Sequence, residues 1–186
     1  MGQLRVAVAG GTGRTGKEIV RYLNAEEGIT VVGVVARTLA GKSMSVVLPD
    51  LGRNIPIFGD FAELCAVHPP HILVDFTTPQ AAKQHFYQCL ERRIHPIIGT
   101  TGFRDDELAE FATACSRAQL GGAVIPNFSI GALAMRQAVH AVAGLMQDVA
   151  LLESYPRSKQ EIPSGTSQRL ASLLTAHRPE LRREIP

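Results

Sequence analysis

The sequence predicts an α/β protein: a doubly wound parallel sheet followed by part of a smaller, mixed α+β domain. Three observations predict it. Short apolar runs rich in Val and Ile alternate with amphipathic segments through the first two thirds of the chain, as parallel strands buried on both faces alternate with the helices that cover them. These runs end in Gly, Thr, Asp and Asn, at the carboxyl ends of strands where ligands gather in such sheets. A glycine cluster also stands between the first run and the first helix-like segment.

Taken in order, "LRVAVAG" is the first strand, ending at Ala9. Gly10, Gly11, Thr12, Gly13, Arg14, Thr15 and Gly16 follow at once, and Lys17 to Leu23 continue as a helix within "GKEIVRYLNAEEG". The second strand is "TVVGVVA". Residues 38–60, with "LAGKSMSVVLPDLGRNIP", are longer than most connections and are expected to be a loop, mobile or near the ligand. Next come the strand "HILVDFT", the helix "PQAAKQHFYQCLERR" and the strand "IHPIIGT". In the helix "DDELAEFATACSRAQ", Leu108, Phe111, Ala112 and Cys115 share a face behind an acidic first turn that suits the helix dipole. "GAVIPN" is the last strand of this body.

The pattern changes after Asn127. "SIGALAMRQAVHAVAGLMQ" is a long helix with Ile130, Leu133, Ala134, Ala138, Ala141, Val142 and Leu145 on its apolar side, Met135 and Met146 reading as core. "DVALLESY" is expected to be a strand and "SGTSQRLASLLTA" a second helix. The expected division is residues 1–126, the parallel-sheet body, and 127–186, a second domain too short for an independent sheet. The end at "RREIP" reads as the entry to another strand, so the second domain is expected to be incomplete.

Composition narrows the partners. The 186 residues are 45% hydrophobic and 19% charged, ample for a core. A net charge of +2 from 19 basic and 17 acidic residues, without a basic block, argues against nucleic acid or a membrane surface and for a small polar ligand. Cys65, Cys89 and Cys115 are odd in number and lack CxxC spacing, so they read as reduced, half-buried thiols of a cytoplasmic protein. "MGQLRVAVAGG" is too short in its apolar run for a signal or a membrane span.

Gly10, Gly13 and Gly16, at the junction of strand and helix, fit the Rossmann fingerprint, in which small residues admit a pyrophosphate to the helix N-terminus. The competing reading is a tight turn with no ligand. Arg14 and Thr15 are best placed to touch phosphate. The second strand ends in Ala36 and Arg37 rather than the carboxylate that accepts from the ribose of NAD, so NADPH is preferred and NADH also accommodated. Arg37 as a solvated strand end is the alternative. "DFTTPQAA" and "IIGTTGF" close their strands with hydroxyl residues. Thr100 and Thr101, after Gly99, would let a planar ring lie near the backbone, with Phe76 beside it. "IPNFSIG" puts Asn127 and Phe128 at the next strand end. His68 and His71 flank two prolines and solvate a turn more readily than they bind a metal; no metal site is expected. His85 and His140 lie inside helices as surface or packing residues.

In their order and spacing, "VAVAGGTGRTG", "DFTTPQ", "IGTTGF", "IPNFSIG" and "IPSGTS" resemble the 4-hydroxy-tetrahydrodipicolinate reductase (dihydrodipicolinate reductase) family of lysine and diaminopimelate biosynthesis. The resemblance implies a Rossmann domain, a C-terminal mixed-sheet domain that carries substrate and usually forms a homotetramer, and hydride transfer from NADPH or NADH to a cyclic dicarboxylate. It implies that Gly10 to Thr15, Arg37, Gly99 to Thr101 and Ile125, Pro126, Asn127 and Phe128 line the cofactor, and that Ser164, Gly165 and Thr166 hold a substrate carboxylate. "PSGTS" opens a predicted helix, whose N–H groups independently favour an anion. Two departures stand out. In "ESYPRSK", Glu153 and Lys159 match, but Tyr155 and Pro156 replace the family's two His residues. A tyrosine is ordinarily a weaker acid near neutrality than a histidine, so Tyr155 is a proton donor only with help from Lys159. The family's chain also continues beyond "REIP". The alternatives are a homologue that binds NADP(H) as a sensor or partner subunit, a reductase with a changed substrate, and a relative of the short-chain dehydrogenases.

Overall fold

The computed structural model describes residues 2–146, 148–155 and 162–177. Its chain separates into two compact units, residues 1–125 and 126–186. In the first unit the strands are β1 (Leu4–Ala9), β2 (Ile29–Val35), β3 (Ile57–Phe58), β4 (Ile72–Asp75), β5 (His95–Ile98) and β6 (Ala123–Val124). They form one six-stranded sheet in the order β3-β2-β1-β4-β5-β6, and every pair is parallel. The helices of this unit are α1 (Arg14–Ala25), α2 (Phe61–Val67), α3 (Pro79–Glu91) and α4 (Asp105–Ala118). The strand order is that of the doubly wound Rossmann sheet, and winding reverses between β1 and β4.

Both faces of the central strands are covered, which is why they read as unbroken apolar runs. Residues of β1 divide by parity: Val8 joins one buried cluster with Val20, Val31 and Val34, whereas Ala7 and Ala9 join another with Phe61, Leu64, Leu73 and Cys89. A third cluster joins α3 to α4 through Phe86 and Phe111, whose rings stack at 4.2 Å. Leu108 and Cys115 pack against that cluster as expected, but Ala112 is exposed and Ala114 takes its place.

Residues 38–60 are not a mobile loop. Met44, Leu48, Leu51, Ile55 and Ile57 are buried in the cluster of Val8 and Val34. Two single 3-10 turns, Met44–Val46 and Pro49–Leu51, carry Met44 and Leu51 there, and Ser43 Oγ accepts from the Ser45 N–H at 3.2 Å. Pro49, Gly52 and Pro56 interrupt any helical or strand period, so the apolar residues give no periodic signal. The edge strand β3 and helix α2, whose N-cap Asp60 accepts from the Glu63 N–H at 3.0 Å, were likewise not anticipated. The half-buried reading holds for Cys65 and Cys115, but Cys89 is fully buried, and burial pushes its thiol pKa up.

The described residues of the second unit form two helices, α5 (Ile130–Val142) and α6 (Gly165–His177), and no strand. "DVALLESY" is irregular along 148–155. A strand exists only as a pairing, and among the described residues none offers it a ladder. The described part of this unit is therefore helical. The core reading of α5 also changes: the helix buries no residue, and Ile130, Leu133, Met135 and Val142, like Leu145 and Met146 just beyond it, are exposed. Leu170 and Leu174 of α6, four residues apart, are buried. Among the described residues, no helix is long and apolar enough to cross a membrane.

Candidate functional site

The turn after β1 lies at the reversal point of the sheet. Gly10 has φ +75°, a left-handed conformation that favours glycine. The Gly13 N–H donates to its carbonyl at 3.0 Å, closing the turn. Gly11 lies against Val34, where an added Cβ would stand 2.8 Å from a methyl carbon. Gly16 lies under the turn: a Cβ there would meet the Gly10 carbonyl oxygen at 2.1 Å. At Gly13, by contrast, the nearest atom would be the Gly10 carbonyl oxygen at 3.2 Å, a contact that a shift of a few tenths of an ångström would relieve.

Gly13 is the N-cap of α1, no side chain caps that end, and the first turn holds no acidic residue. Its leading N–H groups therefore lack intrahelical partners and carry the positive end of the helix dipole. Gly13, Arg14 and Thr15 are exposed, and Thr12 is half-buried. Arg37, two residues past β2, is exposed, and no ion pair holds it among the described residues.

Across the reversal point, Phe76 follows β4 and Gly99 follows β5. Their proximity is steric: a Cβ on Gly99 would stand 2.4 Å from the Phe76 ring. The Phe76 N–H donates to Ala9 O at 3.0 Å and Gly99 N–H to Asp75 O at 2.8 Å, stitching the three strand ends together. Thr100 is buried and its hydroxyl donates to Thr77 O at 3.2 Å, whereas Thr101 is exposed. Ile125 donates to Ile98 O at 2.8 Å and ends the first unit beside β5.

Two residues that sequence reasoning did not assign to the site stand beneath this turn. Asp75, 1% exposed, accepts from the Thr77 N–H at 2.8 Å and the Thr77 hydroxyl at 2.6 Å. Its other oxygen meets His85 Nδ1 of α3 at 2.6 Å. His85 is thus a partner of a buried carboxylate rather than a plain surface or packing residue. A signal existed: Asp75 ends an apolar strand, and His85 lies three and four residues from the buried Ala82 and Cys89. His68 packs edge-on against Phe58 and His71 Nδ1 accepts from the Arg5 N–H at 3.2 Å. Among the described residues, no group of three or more His, Cys, Asp or Glu could hold a metal.

In the second unit Pro126 is half-buried, and Asn127 and Phe128 are exposed. Asn127 Nδ2 donates to Thr166 Oγ1 at 3.3 Å, and its Oδ1 accepts from the Ser129 N–H at 2.8 Å ahead of α5. Asn127 and Thr166, assigned from sequence to cofactor and substrate, are therefore brought together. Ser164 and Gly165 stand at the start of α6, where the Ser164 hydroxyl accepts from the Ser167 N–H at 3.2 Å. That helix end already holds a carboxylate: Glu153 accepts from the Ser164 N–H at 2.9 Å and from the Ser167 hydroxyl. Tyr155, two residues on, is 49% exposed. Lys159 lies outside the described residues.

The sequence profile described as "Dihydrodipicolinate reductase, N-terminus" matches residues 4–128. The 4-hydroxy-tetrahydrodipicolinate reductase of Shouchella clausii is 32% identical over 91% of this chain and 64% of its own length. That of Geobacillus kaustophilus is 31% identical over 98% of this chain and 69% of its own length. The chain thus spans about two thirds of these relatives. A dipicolinate-bound dihydrodipicolinate reductase from Paenisporosarcina sp. TG-14 superposes with a TM-score of 0.77 at 31% identity, covering 99% of this chain and 70% of that one. Scyllo-inositol dehydrogenase from Lactobacillus casei, with bound NAD(H), matches at 13% identity with a TM-score of 0.59, over 75% of this chain and 42% of that one, a likeness of fold alone.

Proposed function

The chain belongs to the dihydrodipicolinate reductase family, and from that membership we propose that it acts as an NAD(P)H-dependent reductase of a cyclic dicarboxylate in lysine and diaminopimelate biosynthesis, in the cytoplasm. The observation that carries the proposal is the uncapped, carboxylate-free N-terminus of α1 behind the Gly10–Gly16 turn at the reversal point of the sheet. Orphan N–H donors there suit a pyrophosphate, and Gly13 leaves its backbone bare on the exposed side. The donor set therefore fits a dinucleotide, which when bound supplies the hydride.

Each remaining role belongs to the chain's own residues. Arg14 and Thr15 sit on the exposed first turn of α1, within its positive end. Arg37 pairs a 2′-phosphate and favours NADPH over NADH. In the first unit Phe76, Gly99, Thr100, Thr101 and Ile125 lie beside the reacting ring; in the second, Pro126, Asn127 and Phe128 are further cofactor contacts. Ser164, Gly165 and Thr166 anchor a substrate carboxylate, Lys159 holds or polarises the substrate, and Tyr155 delivers the proton. A dicarboxylate is the ligand class because the solved relative was crystallised with dipicolinate; at the start of α6 Glu153 already takes the Ser164 N–H, so a substrate carboxylate would meet Gly165 and Thr166. Assembly as a homotetramer belongs to the same proposal.

Calorimetric titration with NADPH and NADH, followed by NADPH absorbance with freshly made cyclic substrate, tests the proposal. Both cofactors should bind, and Arg37→Ala should weaken NADPH by about 10- to 100-fold while sparing NADH. Lys159→Ala should cut turnover far more than NADPH affinity. Binding of neither dinucleotide at millimolar concentration would remove the proposal, and collapse of NADPH binding in Lys159→Ala would overturn the division of labour between the units.

A further inference from the structure

Asp75 is the last residue of β4 and lies in register between Ala9, the last residue of β1, and Ile98, the last of β5. The backbone from 75 to 77 therefore stands beside the start of the glycine turn. The carbonyl of Phe76 is what a Cβ on Gly10 would strike, at 2.6 Å, and its ring covers Gly99. Any shift of this short segment would be felt on both sides of the reversal point.

A buried carboxylate is costly unless its lone pairs are filled by donors. Asp75 has three: the Thr77 N–H, the Thr77 hydroxyl and His85 Nδ1. Two of these come from the segment that Asp75 shapes. The third comes from α3 and ties the segment to the body of the sheet. The His85 ring is itself held edge-on against Phe61 at 5.7 Å, a residue buried to 1% exposure, and its side chain is only 14% exposed. Among the described residues, the His85 ring hydrogen-bonds to Asp75, so the link from His85 to the site runs through that carboxylate.

We infer that His85 is a positioning residue: through its hydrogen bond to Asp75 it holds the Phe76–Thr77 turn against the Gly10 turn in the geometry that the dinucleotide requires. The inference rests on the dinucleotide reading above and adds to it a residue on the far side of the sheet end, outside the cofactor wall. It separates two jobs for one hydrogen bond. A bond that merely stabilised the fold would alter melting temperature and leave the affinity of the folded protein unchanged. A positioning bond alters affinity at temperatures far below the melting point.

The test is the affinity of the 186-residue chain for NADPH and NADH at 10 °C or so, with melting temperature measured in parallel. His85→Phe keeps a ring but no donor, and should raise the dissociation constant for both cofactors by about tenfold or more. His85→Asn places an amide N–H close to where Nδ1 stands, and should bind within about threefold of the parent. Thr77→Val removes one donor from the same carboxylate on the turn itself and should weaken binding in the same direction, which carries the test if the Phe variant does not fold. Equal affinity in all variants would overturn the inference while leaving the dinucleotide reading intact. Equal losses in His85→Phe and His85→Asn would also overturn it, since ring shape rather than the hydrogen bond would then be at work. A parent chain that binds neither cofactor would remove both.

Discussion

The glycines of the first turn are not equivalent, and their differences separate stability from binding. At Gly16 a methyl group would meet backbone on two sides, the Gly10 carbonyl oxygen at 2.1 Å and Gly11 Cα at 2.7 Å, and neither can rotate away. Helix α1 would have to lift from the sheet. At Gly13 the backbone has φ −72° and ψ 170°, open to any residue. Gly16→Ala is therefore expected to destabilise the protein by about 1–3 kcal/mol or more. Gly13→Ala should stay within about 1 kcal/mol of the parent and lose dinucleotide affinity by about tenfold, because its methyl would stand where the pyrophosphate approaches. Denaturant melts and cofactor titrations on the two variants check the pair. Equal effects on stability would refute the distinction.

Helix ends show how local chemistry positions the larger elements. Helix α4 begins after Arg104, whose backbone N–H donates to Glu107 at 3.1 Å, and Lys83 of α3 reaches the same carboxylate at 3.1 Å. These contacts, the Arg104 N–H first and then Lys83, hold the Glu107 carboxyl below its ordinary value of 4.5. A depressed carboxylate contributes stability that is complete above the unfolded value and is lost as pH falls through the folded one. Glu107→Gln should therefore lower the melting temperature modestly at pH 7, and the difference should shrink steadily as pH falls below the ordinary value of 4.5. Thermal melts across that range check it; a difference that grew on acidification would contradict the assignment. Such caps are readable from sequence because donor and acceptor lie within three residues. The Lys83 contact is not, since its partner is on another helix.

At the scale of the molecule, stability is uneven. The first unit has three buried clusters spanning both faces of its sheet, whereas α5 in the second unit buries none of its residues. Opening free energy follows buried apolar contact. In native-state hydrogen exchange, amides of β1 and β4 should exchange slowest, with global unfolding, while those of α5 should exchange faster than those of α1 or α3. Protection of α5 equal to that of β1 would show that its apolar side is covered in solution.

The Rossmann class, its glycine turn and most of its strands along the chain were legible because each is written in neighbouring residues: Val and Ile runs long enough to be buried on both faces, and Gly10 where the chain must turn left-handed. Tertiary packing alone decided the rest. Residues 38–60 look like a loop until Met44 and Ile55 are seen to complete the core over β1 and β2, because proline and glycine erase their period. "DVALLESY" has a strand's composition, but strand formation depends on a partner ladder, which no local pattern supplies. Asp75 and His85 sit ten positions apart on different elements, and only the packing of α3 onto the end of β4 brings carboxylate and imidazole to 2.6 Å. Periodicity and turn chemistry act along the chain and can be read there, whereas the partner of a buried charge is chosen across the chain, by the fold.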